Sequence, residues 1–274
     1  MKKTMVSAGI ILLVAYSFIV GAVYWKQDSM IYFPEREITH TPKNINLLYD
    51  DATFTTRDGF TISGWYIPAK EDKGTVIFCH GNAGNVSHFL EHIKVLNSLH
   101  LSVLTFDYRG YGRSDGAPSE EGTYLDAEAA WDYLAVEYGK TPQDIIVIGH
   151  SLGGAVAVEL AVRKKPAALI VESSFTSLPD LAANLYPWLP ARYISKYQYT
   201  SINKVSSISC PKLFVHSPDD EIVPFEHGRT LFENASEPKD FLLIRGGHND
   251  GLILSGKIYS DGLMKFLEKY SIIR

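Results

Sequence analysis

The sequence predicts an α/β architecture, a mostly parallel, doubly wound sheet of about eight strands with helices on both faces. Three observations carry this. Short apolar, β-branched runs alternate with helical stretches through most of the chain, the pattern of successive β–α units. An antiparallel hairpin precedes them, marked by Asp58-Gly59 between two alternating segments. Between Asp144 and Lys165 a strand, a sharp turn and a helix follow without a spacer. With 274 residues, 46% hydrophobic and 21% charged, the chain is long and apolar enough for one sizeable core. A formal charge of -5 without long basic runs argues against a nucleic-acid surface, because phosphate binding requires clustered Lys and Arg.

From Met5 to Trp25 the chain runs 21 residues without a charge, and as a helix this is roughly 31 Å, the hydrocarbon thickness of a bilayer. Lys2 and Lys3 precede it, Tyr24 and Trp25 stand where interfacial aromatics stand, and Lys26 closes it. Residues 1–26 are therefore expected to be an uncleaved, single-pass membrane anchor. The alternative is a cleaved secretory signal peptide, with Ile10 to Val20 as its apolar region and Val20-x-Ala22 as the cleavage pattern. Residues 27–43 hold two prolines and mixed charge and read as a linker, which leaves 44–274 as the domain.

Within the domain, Ala52 to Thr56 and Phe60 to Ile67 form the hairpin. Thr75 to Phe78 reads as a buried strand, followed by the loop His80-Gly81-Asn82-Ala83-Gly84-Asn85 and a helix over Val86 to Leu99. Leu101 to Phe106 is the next strand, then come a glycine-rich loop from Gly110 to Pro118 and a helix from Glu120 to Tyr138. Further strands are expected at Ala168 to Val171, Lys212 to His216 and Phe241 to Ile244, with helices near Glu226 to Asn234 and over Leu252 to Tyr270. Residues 173–209 interrupt this alternation as an irregular stretch rich in Tyr, Trp and Pro. Its aromatic residues Tyr186, Trp188, Tyr193, Tyr197 and Tyr199 are expected to line a pocket or, alternatively, to cover the sheet. Cys79 and Cys210 flank apolar strands and lack metal-ligand spacing.

The chemistry centres on Asp144 to Lys165. A β-branched run ends at Gly149, and from Leu152 onward Val156, Leu160 and Ala161 recur at helical spacing until Lys164, Lys165 and Pro166 stop the helix. Gly149-His150-Ser151-Leu152-Gly153 between them fits G-x-S-x-G. The string alone arises by chance in roughly one chain in ten of this length, so the strand-turn-helix context carries the weight. A serine hydroxyl is a poor nucleophile at neutral pH, and Ser151 needs a base and an acid that orients the base. His248, directly after Gly246-Gly247 at a strand end, is the expected base. Asp219, Asp220 and Glu221 are adjacent candidates for the acid, and their chemistry alone does not choose among them. A tetrahedral intermediate also needs two N–H donors, expected from Leu152 and from Asn82 in the loop after the buried strand.

This chemistry calls for no cofactor and no metal. His88-Phe-Leu-Glu91-His92 matches a zinc-peptidase pattern, but its helix already follows the oxyanion loop and a third ligand is not apparent. Gly110-x-Gly112 does not open a helix where a dinucleotide's pyrophosphate would need one.

On these residues the chain resembles the α/β-hydrolase superfamily over roughly Asn44 to Arg274. The motifs are Gly149 to Gly153, His80-Gly-Asn-Ala-Gly-Asn, Asp107-Tyr-Arg-Gly-Tyr-Gly-Arg-Ser and Asp220-Glu-Ile-Val-Pro. They are similar to the branch with an N-terminal membrane segment that includes the α/β-hydrolase-domain depalmitoylases and bud-emergence-type homologues. The resemblance implies an α/β-hydrolase fold with a short cap. In that branch the acid ends an H-G-x-x-D pattern, which places it at Asp220, with Ser217 departing from the usual glycine. The implied activity is a serine hydrolase acting on a small-molecule carboxylic ester or acyl-thioester through an acyl-enzyme. A peptidase or amidase using Ser151, His248 and Asp220, or a non-catalytic binding module, are the alternatives. Asp107 and Arg109 are expected to brace loops rather than touch substrate.

Overall fold

The computed structural model describes residues 2–273, with side chains from residue 5 onward. After helix α1 (Lys2–Ile31), eight strands form one sheet: β1 (Asp50–Thr55), β2 (Thr61–Ile67), β3 (Gly74–Cys79), β4 (Leu101–Phe106), β5 (Ile145–His150), β6 (Ala168–Glu172), β7 (Lys212–His216) and β8 (Lys239–Leu243). Their order across the sheet is β8-β7-β6-β5-β3-β4-β2-β1. The strands from β3 to β8 pair parallel, while β2 is antiparallel to both β1 and β4.

Alternation along the central strands explains why they read as continuous apolar runs. Ile77, Val147 and Leu169 face one layer of the core, and Val76, Phe78, Ile146, Ile148 and Ile170 face the other. Both faces are covered by helices, so neither presents a polar side. The helices after α1 are α2 (Leu90–Ser98), α3 (Glu120–Glu137), α4 (Leu152–Lys164), α5 (Leu178–Leu185), α6 (Ala191–Ile194), α7 (Phe225–Asn234), α8 (Gly251–Ser255) and α9 (Lys257–Lys269), of which α2, α3, α4, α7 and α9 cover the sheet. Ser119 caps α3, its side chain accepting from the Gly122 N–H, with Glu120 and Glu121 in the first turn against the helix dipole.

Several elements differ from expectation. The final helix is two pieces, α8 (Gly251–Ser255) and α9, because Gly256 takes a left-handed φ of 46° between them. The stretch Val86 to Leu99 begins as a 3-10 turn, Val86–Phe89, before α2. Residues 27–43 start inside α1, continue into Phe33–Pro34, which pairs with Ala83–Gly84, and end in the 3-10 turn Pro42–Ile45. They thus join the domain instead of merely tethering it.

The cap contains α5 (Leu178–Leu185) and α6 (Ala191–Ile194). α1 lies along it. Tyr16, Val20, Val23, Gln27 and Ile31 are three or four residues apart and share one helix face. The Tyr16 hydroxyl donates to the Trp188 carbonyl at 2.9 Å. The buried Gln27 side chain donates to the Ile194 carbonyl and accepts from the Lys196 N–H, each at 2.8 Å. Lys196 lies over the rings of Tyr24 and Trp25, and Tyr32 and Tyr199 share a buried hydroxyl hydrogen bond of 2.8 Å.

Candidate active site

Ser151 sits between β5 and α4 with φ 56° and ψ -120°, a backbone conformation that a residue with a Cβ adopts only under strain. The flanking glycines make the turn possible. A Cβ at Gly149 would fall on the Gly153 carbonyl, and one at Gly153 on the Cys79 carbonyl of the neighbouring strand. The Ser151 N–H donates to the Glu172 carbonyl, and Ser174 Oγ donates to the Ser151 carbonyl at 2.8 Å. The Ser151 backbone is therefore held from β6 and the residues after it as well as from its own strand.

The structure brings Ser151, His248 and Asp220 together across three loops. His248 Nε2 is 2.9 Å from Ser151 Oγ, and His248 Nδ1 is 2.8 Å from Asp220 Oδ2. All three residues are buried. Asp220 Oδ1 accepts from the N–H groups of Ile222 and Val223, at 3.0 and 2.8 Å, and His216 Nε2 lies 3.3 Å from Oδ2. Burial by itself pushes the Asp220 carboxyl up, but hydrogen bonds from His216 and His248 outweigh it and hold the group well below the usual carboxylate range. An acceptor-only carboxylate at Nδ1 fixes the proton there and leaves Nε2 as the lone pair facing the serine.

The neighbouring acids have other positions. Asp219 is exposed. Glu221, another of the three candidates, accepts from the His248 backbone N–H through Oε2 at 3.0 Å and so braces the histidine loop.

Asn82 and Leu152 line the same cavity as Ser151. Among the described residues neither backbone N–H donates to a protein carbonyl. Asn82 is fixed from three sides: its side chain donates to the Ile31 carbonyl at 2.7 Å, and its own carbonyl accepts from Tyr111 Oη at 2.7 Å and from the Phe33 N–H at 3.0 Å. Two of those partners belong to the segment that ends α1, a link that the sequence reading missed. Asp107 accepts from the Val86 N–H, and Arg109 is paired with Asp58 and Asp126, so both brace loops.

Ser151 lines two cavities. One, of about 200 Å³, is mostly apolar: Phe175, Leu178, Leu181 and Leu189 of the cap region line it together with Val23 and Met30 of α1. The other is a cleft of about 590 Å³ with polar groups including Glu35, His88, Glu91 and Asn249. Of the cap aromatics, Tyr186 lines the apolar cavity, Tyr199 is buried against Tyr32, and Trp188 and Tyr193 point outward.

The paired histidines of the zinc-like pattern separate. His88 lies by Glu35, whereas His92 packs against His150 and reaches within 3.7 Å of Glu172. His92, His150 and Glu172 have ligand atoms all within 4.8 Å of one another and are the residues among those described that could hold a metal ion. Burial pushes Glu172 up to about 7, partly opposed by the Tyr259 hydroxyl that donates to it, and burial pushes His92 down to about 4. A carboxyl raised in the folded state contributes stability that is present below its unfolded pKa, near 4.5, and is lost as pH rises through about 7. The parent protein is therefore expected to lose thermal stability relative to Glu172→Gln between pH 4.5 and 7, measured as Tm of both proteins across that window. An unchanging Tm difference would contradict it.

The parallel sheet order, the strained serine turn and the loops converging on it define an α/β-hydrolase fold. A family model described as alpha/beta hydrolase fold matches residues 74–197. An uncharacterised protein of Mycobacterium tuberculosis is 39% identical over 267 residues, covering 96% of this chain and 95% of that protein. The alpha/beta hydrolase domain-containing protein WAV2 of Arabidopsis thaliana is 33% identical, covering 97% of this chain and 92% of its own. The chain belongs to the α/β-hydrolase family. The Pyrococcus furiosus esterase Pf2001 shares the fold at a TM-score of 0.72 and 24% identity, covering 86% of this chain and 98% of that one. Family and fold together support a hydrolase.

Proposed function

We propose that the protein is a membrane-anchored serine hydrolase that cleaves carboxylic esters or thioesters through an acyl-enzyme. The observation that carries this is the hydrogen-bond chain from Ser151 Oγ through His248 to Asp220, at 2.9 and 2.8 Å. Ser151 Oγ attacks the carbonyl carbon while its proton passes to His248 Nε2. Asp220 orients the imidazole and stabilises its cation. The N–H groups of Leu152 and Asn82 bind the oxyanion, which the positive end of α4 also favours. Collapse expels the alkoxide or thiolate, which takes the proton from Nε2, and a water repeats the sequence to release the acid.

The apolar cavity beside Ser151 supports an acyl group as the acid half of the substrate, in preference to the amide of a peptide. Residues 1–26 serve as a single-pass anchor. Within helix α1 the stretch Met5–Ile31 is long and apolar enough by length and composition to cross a membrane, with mean hydropathy 2.4. The hydrogen bond from Tyr16, upstream of Ala22, to the Trp188 carbonyl of the cap supports its retention over cleavage near Ala22. Residues 27–43 join the anchor to the domain, and 173–209 form the cap.

Labelling by a fluorophosphonate tests the assignment. Wild-type protein is expected to be labelled, and Ser151→Ala and His248→Ala to remain unlabelled while folded by circular dichroism. Labelling that persists in Ser151→Ala would sink the proposal.

A further inference from the structure

We infer that the cavity between α1 and the cap is a binding site for a long, unbranched acyl chain drawn from the bilayer, and that the membrane helix is itself one wall of this site. The inference rests on the proposed acyl-enzyme chemistry, and adds to it where the acyl chain lies and from where it enters.

The cavity begins at Ser151, Asn82 and Leu152 and is walled on one side by Leu178, Leu181 and Leu185 of α5 and on the other by Val23, Gln27 and Met30 of α1. At about 200 Å³ it is far larger than the ~10–15 Å³ that holds one water. Its lining is mostly apolar, aliphatic side chains with Phe175 and Tyr186, so water away from Ser151 and Asn82 gains few hydrogen bonds and an alkyl chain displaces it favourably. Gln27, the polar residue of that wall, has its side-chain amide satisfied by Ile194 and Lys196, which leaves little polarity facing the cavity.

The depth of the cap follows from the helix. Trp25 and Lys26 mark the membrane surface, and Tyr16 is nine residues further in, about 13 Å along the axis. Because Tyr16 is hydrogen-bonded to the Trp188 carbonyl, the tip of the cap lies at that depth beside it. The surface of the tip fits hydrocarbon: Trp188 is 55% and Tyr193 91% exposed, and the cavity-lining Leu185 and Tyr186 each keep 43% of their surface exposed. Lys196, over Tyr24 and Trp25, returns to the headgroup level. Val23 and Met30 bracket Trp25, so the cavity they line opens between headgroups and hydrocarbon. A chain leaving the bilayer there reaches Ser151 without crossing water. The polar cleft on the other side of Ser151 then takes the alcohol or thiol half.

The test uses the full chain in phosphatidylcholine nanodiscs, with p-nitrophenyl esters from acetate to palmitate and rates normalised to fluorophosphonate-labelled sites. Val23→Trp and Met30→Trp on α1, and Leu185→Trp on the cap, fill the cavity from opposite walls. Each is expected to lower the palmitate-to-butyrate ratio of kcat/KM at least tenfold, and Met30→Ala to leave or raise it. If only Leu185→Trp lowers the ratio, or no variant does while labelling persists, α1 is not a wall and the inference fails. Loss of labelling in the wild type would instead overturn the serine-hydrolase assignment itself. Both a glycerolipid ester and a protein-borne S-acyl thioester carry such a chain. Lysophosphatidylcholine and an S-palmitoyl peptide, each supplied in phosphatidylcholine vesicles, separate these sources. Cleavage of either that is sensitive to Val23→Trp supports the site, and cleavage indifferent to it overturns it.

Discussion

Ser151→Ala is expected to lower kcat/KM for a good ester by roughly 10⁴- to 10⁶-fold, the loss found when a serine nucleophile is removed from an intact triad. Oxyanion donors and substrate binding remain, so a small residual rate above the uncatalysed one is expected. The same position makes an independent prediction about stability. Ser151 is held at φ 56° and ψ -120°, which is costly for any residue with a Cβ. Ser151→Ala keeps that strain, whereas Ser151→Gly relieves it, and both lose the bond to His248 equally. The glycine variant is therefore expected to be more stable than the alanine variant by about 1–3 kcal/mol, read as a higher Tm or urea midpoint. A glycine variant no more stable than the alanine one would show that the turn is not strained. Kinetics and stability thus test the elbow separately.

Asp220→Asn is expected to lower kcat by about 10⁴-fold with little change in KM. The amide oxygen keeps the acceptor for the Ile222 and Val223 N–H groups, so the turn stays formed. Its NH₂ then meets His248 Nδ1 where the carboxylate oxygen was. A donor there selects the tautomer with the proton on Nε2, which faces Ser151 and removes the base. Glu221→Gln gives the contrast, because the amide oxygen still accepts from the His248 backbone N–H and no tautomer changes. A near wild-type rate is expected for it. Steady-state kinetics of both variants on one ester decides the matter, and a larger loss in Glu221→Gln than in Asp220→Asn would exchange their roles.

Much of the fold was legible because local and global signals agree. Strand residues such as Ile146 and Ile148 are apolar on every position, since both sheet faces are covered, and Asp58-Gly59 sets the hairpin by turn chemistry alone. Less legible was the end of the chain, where Gly256 lies in a continuous helical pattern whose periodicity carries no sign of a left-handed residue. In the candidate site, glycine-bounded turns at strand ends single out Ser151 and His248, which the fold sets 2.9 Å apart. The acid was not separable from its neighbours by chemistry, because Asp219, Asp220 and Glu221 differ in orientation rather than in type.

By itself, the sequence determined the α/β class, the apolar N-terminal segment and the candidate residues for nucleophilic chemistry, all of which depend on spacing within a few residues. The tertiary structure alone decided that Asp220 faces His248 while Glu221 braces its backbone, that His92 joins Glu172 instead of His88, and that Val23 and Met30 stand across a cavity from Leu185. These contacts join residues far apart in the chain. They are set by how helices and loops pack on the sheet, and no local pattern of side chains encodes that packing.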